Sequence, residues 1–279
     1  MTTTPLVVGL GDTLYRVERP FGTLPTGQRL ADVSAVAVGT DGDIYVVQRT
    51  DPPVVVFAPD GRFVRSFGAG VLVDPHGVTA APTGGIWVAD RDAHELVRFT
   101  PAGDVATRVG RRHLPAPAGM FNHPAAVLEA QDGSLVVGDG YGDSHVHVLE
   151  ADGRPRTRWG TPGGGRGEFA TPHGIAVDHS GAIYVADREN DRVEIFTFDG
   201  TWTATIGGLY RPTDLAVLAD GSVLVADHTP RLSRYVAGEL VGRCKPVAVV
   251  AHGIDVAADG TIYLAEPAPH DRITRLVPR

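Results

Sequence analysis

The stretch Thr171-Pro172-His173-Gly174-Ile175-Ala176-Val177-Asp178-His179-Ser180-Gly181-Ala182-Ile183-Tyr184-Val185-Ala186-Asp187-Arg188-Glu189-Asn190 contains the unit from which the fold is read. Ile183-Tyr184-Val185-Ala186 is a short apolar strand, entered through Ser180-Gly181 and left through a polar residue. The same strand recurs as Ile44-Tyr45-Val46-Val47, Ile86-Trp87-Val88-Ala89, Leu135-Val136-Val137-Gly138, Val223-Leu224-Val225-Ala226 and Ile262-Tyr263-Leu264-Ala265. In chain order the six copies start 42, 49, 48, 40 and 39 residues apart. Asp41-Gly42, Asp132-Gly133, Asp220-Gly221 and Asp259-Gly260 precede four of them, and Gly84-Gly85 stands in for the pair at a fifth. Tight hairpin turns need a positive φ, which glycine supplies at low cost. A further strand follows each marker, such as Glu95–Phe99 or Arg192–Phe196, and then a last strand ending in glycine, as at 63–68 and 156–160.

Four short strands in each unit of about forty residues mark a β-propeller blade. Six copies predict an all-β, six-bladed β-propeller in one domain. The expected blades cover residues 18–68, 69–110, 111–160, 161–208, 209–245 and 246–279. The last unit is short of an outer strand, and an N-terminal strand at 5–17 is expected to complete it and close the ring. Glycine and proline, 35 and 21 of 279 residues, interrupt every window long enough for a helix.

Composition narrows function. A net charge of −8 offers no basic face for a phosphate backbone, so no nucleic-acid partner is expected. No run approaches 18 apolar residues, which predicts no membrane span. The apolar run at 5–10 is too short for a signal peptide. One cysteine, Cys244, excludes an internal disulfide and a cysteine-rich zinc module, and it fits a reducing cytoplasm.

Counting ten positions back from each marker strand gives Ser34, His76, Ala125, His173, Thr213 and His252. Histidine fills blades two, four and six, and small residues fill the others. Equivalent positions near the start of the innermost strands surround the propeller axis, so alternate blades form a three-fold set. Three imidazoles meeting there match a His₃ zinc site with an open position. The other histidines lack this phasing. His123 is off register, and His145 and His147 alternate along a strand as a solvent-facing pair.

Five positions forward from the marker starts stand Arg49, Arg91, Gly140, Arg188, His228 and Pro267. Arginine at the channel mouth suits bidentate capture of a carboxylate, and equally a salt bridge to a neighbouring acid, the role that suits Arg91. Tyr141 lies among glycines in Gly138-Asp139-Gly140-Tyr141-Gly142-Asp143, where nothing supplies bulk for core packing. Near a divalent cation and arginines, its phenol suits a general base.

Asp74-Pro75-His76-Gly77, Gly138-Asp139-Gly140-Tyr141, Thr171-Pro172-His173-Gly174, Ala186-Asp187-Arg188-Glu189-Asn190 and Ala251-His252-Gly253 together carry a resemblance. The chain resembles the NHL-type six-bladed propeller of peptidyl-α-hydroxyglycine α-amidating lyase over most of its length. That resemblance implies His76, His173 and His252 as zinc ligands, Tyr141 as base, and Arg49 and Arg188 as anion-binding groups. It implies a C–N lyase that splits an N-acyl hemiaminal into a primary amide and glyoxylate. The family's structural calcium uses an acidic residue directly after the third histidine. Gly253 stands there, with Asp255 two positions off, which argues against calcium. The disulfides of secreted members and their copper-monooxygenase domain are missing, so a separate hydroxylating enzyme is expected upstream. The substrate expected is a small-molecule or peptide carbinolamide. Two alternatives stay open: another metal-dependent reaction, hydrolysis or isomerisation of a small metabolite, and a non-catalytic propeller that binds a protein or ligand.

Overall fold

The computed structural model describes residues 6–279. Six antiparallel sheets stand around one axis as the blades of a β-propeller, five with four strands and one with five. Each marker strand is the second of its blade and is buried along nearly its whole length, as in Ile86–Asp90 and Leu135–Asp139. The preceding turns form as their residues dictate. Gly42, Gly133, Gly221 and Gly260 adopt φ between 79° and 84°. Asp41, Asp132, Asp220 and Asp259 each accept the backbone N–H two residues on, which fastens the turn.

Hydrophobic cores lie between neighbouring blades. One unites Leu96 and Val109 of blade two with Val127 and Val137 of blade three. Another joins Val33 and Val46 of blade one to Tyr263 and Ile273 of blade six. The innermost strands touch one another in a closed ring: Val33–Val38, Pro75–Ala80, Ala126–Glu129, Pro172–Val177, Pro212–Val217 and Gly253–Val256.

Ring closure differs in detail from the expected single N-terminal strand. Val7–Leu10 and Thr13–Phe21 form a hairpin, and the second of these pairs with Arg272–Pro278 of blade six. Residues 18–21, assigned to the first blade from the sequence, therefore sit in the last. Pro5 lies outside the described residues. Phe21 ends this strand in edge contact with Phe57 and Tyr263, at centroid distances of 6.0 and 5.2 Å. The chain then turns at Gly22, where φ is +88° and a Cβ would lie 2.8 Å from the Phe57 ring. Only glycine fits that crossing. No helix among the described residues is long and apolar enough to cross a membrane.

One repeated contact prepares the functional end of the channel. The last residue of each marker strand is buried and polar: Gln48, Asp90, Asp139, Asp187, Asp227 or Glu266. Its side chain accepts the backbone N–H of a residue in the loop that leads into the innermost strand, at Ala31, Val73, Asn122, Ala170, Tyr210 or Ala248. A buried side-chain oxygen, a carboxylate in five blades and the Gln48 amide oxygen in the first, thus replaces water as the partner of a loop amide. It fixes the loop from which the axial side chains start.

Candidate metal centre

At the start of the innermost strands the pairing register slips between Val33 and Ala35, Pro75 and Gly77, Pro172 and Ile175, and Pro212 and Asp214. These bulges fall on Ser34, His76, His173 and Thr213. A bulge re-aims the side chain it carries. In blades three and six the regular strand starts one residue after Ala125 and His252. Two residues upstream, Asp32, His123, Thr171 and Arg211 hold positive φ of 48–65°. Such values are uncommon outside glycine and persist where the surroundings enforce them.

The six residues predicted from register do meet on the axis. His76, His173 and His252 have ring centroids 4.8, 4.9 and 5.0 Å apart, so the triad is close to three-fold symmetric. Their ligand atoms all lie within 4.8 Å of one another. The small residues complete the ring. Nδ1 of His76 is 2.7 Å from the Ala125 carbonyl, Nδ1 of His173 is 2.6 Å from that of Thr213, and Nδ1 of His252 is 2.7 Å from that of Ser34. A carbonyl only accepts, so each Nδ1 carries the proton and each Nε2 presents a lone pair inward. Burial, reinforced in the first two by the neighbouring imidazoles, lowers the pKa of His76 and His173 well below the usual histidine value. Burial lowers that of His252 to about 4. Neutral imidazoles with one lone pair directed inward are the form that binds a metal.

Tyr141 closes one side of the triad. Its hydroxyl lies 3.0 Å from Nε2 of His76 and 3.0 Å from Nε2 of His173, and it accepts from Nη1 of Arg188 at 2.9 Å. The phenol has one proton, and two lone-pair nitrogens face it. One imidazole is therefore left without a donor, a shortage that a cation at the triad removes. The donor set fits a borderline-soft ion such as zinc. Gly140 makes this placement feasible, because a Cβ there would lie 2.2 Å from the Pro172 carbonyl. His252 makes no bond to Tyr141 and is the most exposed of the three, so the triad opens on its side.

The arginines stand around this centre. Arg188 shares Glu189 with Arg211, at 2.9 and 2.7 Å. Arg49 holds Asp74 through Nε at 2.9 Å and does not touch Tyr141. Arg91 forms the expected pair with the adjacent acid, Asp92, at 2.9 Å, but it also reaches Asp74. Its guanidinium lies 5.0 Å from the centre of the Tyr141 ring, as does that of Arg188. Asp74, Arg211 and His228 join the arginines around the centre, beyond the site residues expected from the sequence. The motif Asp74-Pro75-His76 placed Asp74 beside a ligand, and His228 shares the arginine register. Burial, then Arg211 and Arg188, lowers the His228 pKa.

One expectation about the other histidines needs correction. His147 does not face solvent: it is 5% exposed and packs against Phe121 at a centroid distance of 5.3 Å. His123, off register, stacks edge-on against His94 at 4.3 Å, away from the triad. Among the described residues, only the triad gathers three groups able to hold a metal.

Beyond the triad the axis runs into a cavity of about 180 Å³, lined by the six innermost strands. Asp214 pairs with Ala226 at the rank where Gly253 pairs with Ala265. Asp214 thus stands in blade five at the register position that Gly253 holds in blade six. Both oxygens of Asp214 accept backbone N–H groups, from Leu215 and Ile254, and those of Asp255 accept from Val38 and Val256. Burial raises Asp214 to about 7 and Asp255 to about 6.

The NHL repeat family matches residues 72–99 and 169–196, the two segments that carry His76 and His173. The chain is 27% identical over 259 residues to human NHL repeat-containing protein 3, covering 81% of this chain and 74% of that protein. It is 28% identical over 205 residues to a probable peptidyl-alpha-hydroxyglycine alpha-amidating lyase of Caenorhabditis elegans, covering 63% of this chain and 59% of that one. It is 25% identical over 241 residues to mouse peptidyl-glycine alpha-amidating monooxygenase, matching 77% of this chain but only 25% of that longer protein. Among solved structures, a streptogramin B lyase superposes with a TM-score of 0.70 at 15% identity, over 98% of this chain and all of that one. A Xanthomonas campestris gluconolactonase superposes at 0.74 and 15%, over 99% and 95%. At that identity the likeness shows the propeller fold alone. The chain carries NHL repeats and resembles the amidating lyases at low identity.

Proposed function

We propose that this protein is a zinc-dependent C–N lyase that cleaves an N-acyl hemiaminal, an α-hydroxyglycine-like amide, to a primary amide and glyoxylate or a related carbonyl compound. The observation that carries this is the Tyr141 hydroxyl, a proton carrier held against two of three converging imidazoles and an arginine. The relatives named as amidating lyases support the same reaction class.

His76, His173 and His252 would hold zinc through Nε2. Zinc bound there supplies Lewis-acid polarisation of a substrate oxygen. Arg49 and Arg188 bind the substrate carboxylate and orient the carbinol carbon towards Tyr141. As the Tyr141 hydroxyl gives its own proton to the departing nitrogen, its oxygen takes the proton of the carbinol hydroxyl. The O–H electron pair forms the new C=O bond, the C–N pair leaves on nitrogen, and nitrogen regains one proton. The net change moves a single proton from oxygen to nitrogen, which a phenol between the two can shuttle. No oxidant or reductant is consumed. A separate hydroxylating enzyme upstream would supply the carbinolamide, and we assign this protein's own step to the cytoplasm.

Metal analysis of purified protein and of His173→Ala tests the centre: about one zinc per chain, lost in the variant, is expected. Incubation with an N-acyl-α-hydroxyglycine and a glyoxylate assay tests the reaction. Zinc binding without glyoxylate release removes the lyase and leaves the metal centre. Absence of stoichiometric metal removes both.

A further inference from the structure

The loop that carries Tyr141 is held by its N–H on the His123 carbonyl at 3.3 Å and by the Gly142 N–H on the Asn122 carbonyl at 2.9 Å, which fix the backbone but not the plane of the ring. Gly140 and Gly142 flank Tyr141, and its ring is flanked by two guanidinium groups, Arg188 from blade four and Arg91 from blade two. Arg188 also bonds the hydroxyl, and Arg91 does not. Arg91 is itself held at three points. Its backbone N–H donates to the Asp74 carbonyl at 2.9 Å, its Nη2 reaches the Asp74 carboxylate, and its Nε bonds Asp92. Asp74 is anchored in turn by its own N–H on Asp90 at 2.8 Å, and its second oxygen takes Arg49. One carboxylate, two residues before the ligand His76, thus yokes Arg49 of blade one to Arg91 of blade two.

We propose that Arg91 is a positioning residue: fixed by Asp74 and Asp92, it stacks on Tyr141 and keeps the hydroxyl between His76 and His173. A guanidinium over a tyrosine face attracts the ring quadrupole, and two of them from the flanking blades fix its plane beside the edge contacts with His76 and His173, at centroid distances of 5.0 and 5.6 Å. The consequence for turnover rests on Tyr141 carrying the proton, as proposed above. The geometric statement does not.

The test has two arms. The first is the crystal structures of metal-free Arg91→Ala and Arg91→Lys. In Arg91→Ala the Tyr141 hydroxyl is expected to leave hydrogen-bond reach of at least one imidazole, and in Arg91→Lys to keep both. The second arm is a turnover cycle of wild type, Arg91→Ala, Tyr141→Phe and the double variant. Arg91→Ala is expected to lower kcat about tenfold with KM changed less than threefold, and Arg91→Lys to recover most of it. In the Tyr141→Phe background the same change is expected to cost less than twofold. An Arg91→Ala structure that retains both bonds overturns the proposal, as do two losses that simply multiply. If Arg91→Ala does not fold, Arg91→Gln takes its place in both arms. If wild type releases no glyoxylate, the lyase assignment fails, and the structures alone decide the role of Arg91.

Discussion

Asp214 shows how much one side chain is made to tolerate by its place on the axis. Its side chain lines the axial cavity among the innermost strands, where it is half-buried, and desolvation there raises its pKa from 3.8 to about 7. The folded protein therefore holds a proton there that the unfolded chain releases near pH 4. The stability this contributes is complete below the unfolded value and disappears as pH rises through 7. Asn at this position cannot ionise. In chelator-treated protein, the stability of Asp214→Asn relative to wild type is expected to improve by roughly 1.4 kcal/mol between pH 6 and pH 8. Urea melts at both pH values check it, and an unchanged difference means that Asp214 titrates normally. Tyr141→Phe acts on the chemistry instead. Loss of the hydroxyl is expected to leave zinc content and melting temperature in place while kcat falls by about 10²–10⁴-fold, the range of a lost acid–base group. Unchanged kinetics would take the tyrosine out of the mechanism.

In five of the six blades one buried acid, and in the first Gln48, couples the second strand to the loop before the first. In blade four Asp187 accepts from Ala170 at 2.8 Å, from Asn190 at 2.7 Å and from Nε of Arg192 at 2.9 Å. Arg192 also ties the glycine-rich loop through the carbonyls of Gly164, Gly165 and Glu168. Asp187→Ala takes the Nε partner from a largely buried guanidinium, leaves it Glu194 at 2.9 Å, and deprives the Ala170 N–H in the loop that leads to His173 of its buried acceptor. A loss of about 3–5 kcal/mol is expected, the usual cost of removing one partner of a buried pair. Thermal melts measure that loss, and weaker zinc binding at equal protein concentration should accompany it. Elements of this kind decide what could be read in advance. The polar residue ending each marker strand is visible in the sequence, but its task is not, because its partner lies in a loop of variable length. Register located His76, His173 and His252 because blade geometry holds the offset between first and second strands constant. The Asp74–Arg49–Arg91 yoke crosses a blade boundary and has no period to betray it. His147 looked solvent-facing from its alternation with His145, and only the return of the 111–125 loop brings Phe121 over it. The N-terminal strand was legible, but the turn at Gly11, with φ of +63°, divides it into a hairpin.

A propeller has no single core, so the three ligands depend on closure of the whole ring. His76 rests on a carbonyl of blade three, His173 on one of blade five, and His252 on one of blade one. The last contact spans the seam where the chain's two ends meet, and Thr13–Phe21 holds that seam by pairing with Arg272–Pro278. Val17 on this strand is 8% exposed, pairs with Leu276 and packs in the core between blades five and six. Val17→Asp puts an unpaired carboxylate there, a cost of several kcal/mol that pairing at the seam must absorb. The variant is expected to lose zinc binding although no ligand is altered, because blade six can no longer hold His252 against Ser34. Leu14, 54% exposed on the same strand, is the control, and Leu14→Asp is expected to change stability by less than about 0.5 kcal/mol and keep its zinc. Zinc titration and melting of the two variants separate the cases. Full affinity in a destabilised Val17→Asp protein would mean that the triad survives an open seam, and the ring would then not be the unit that assembles the site.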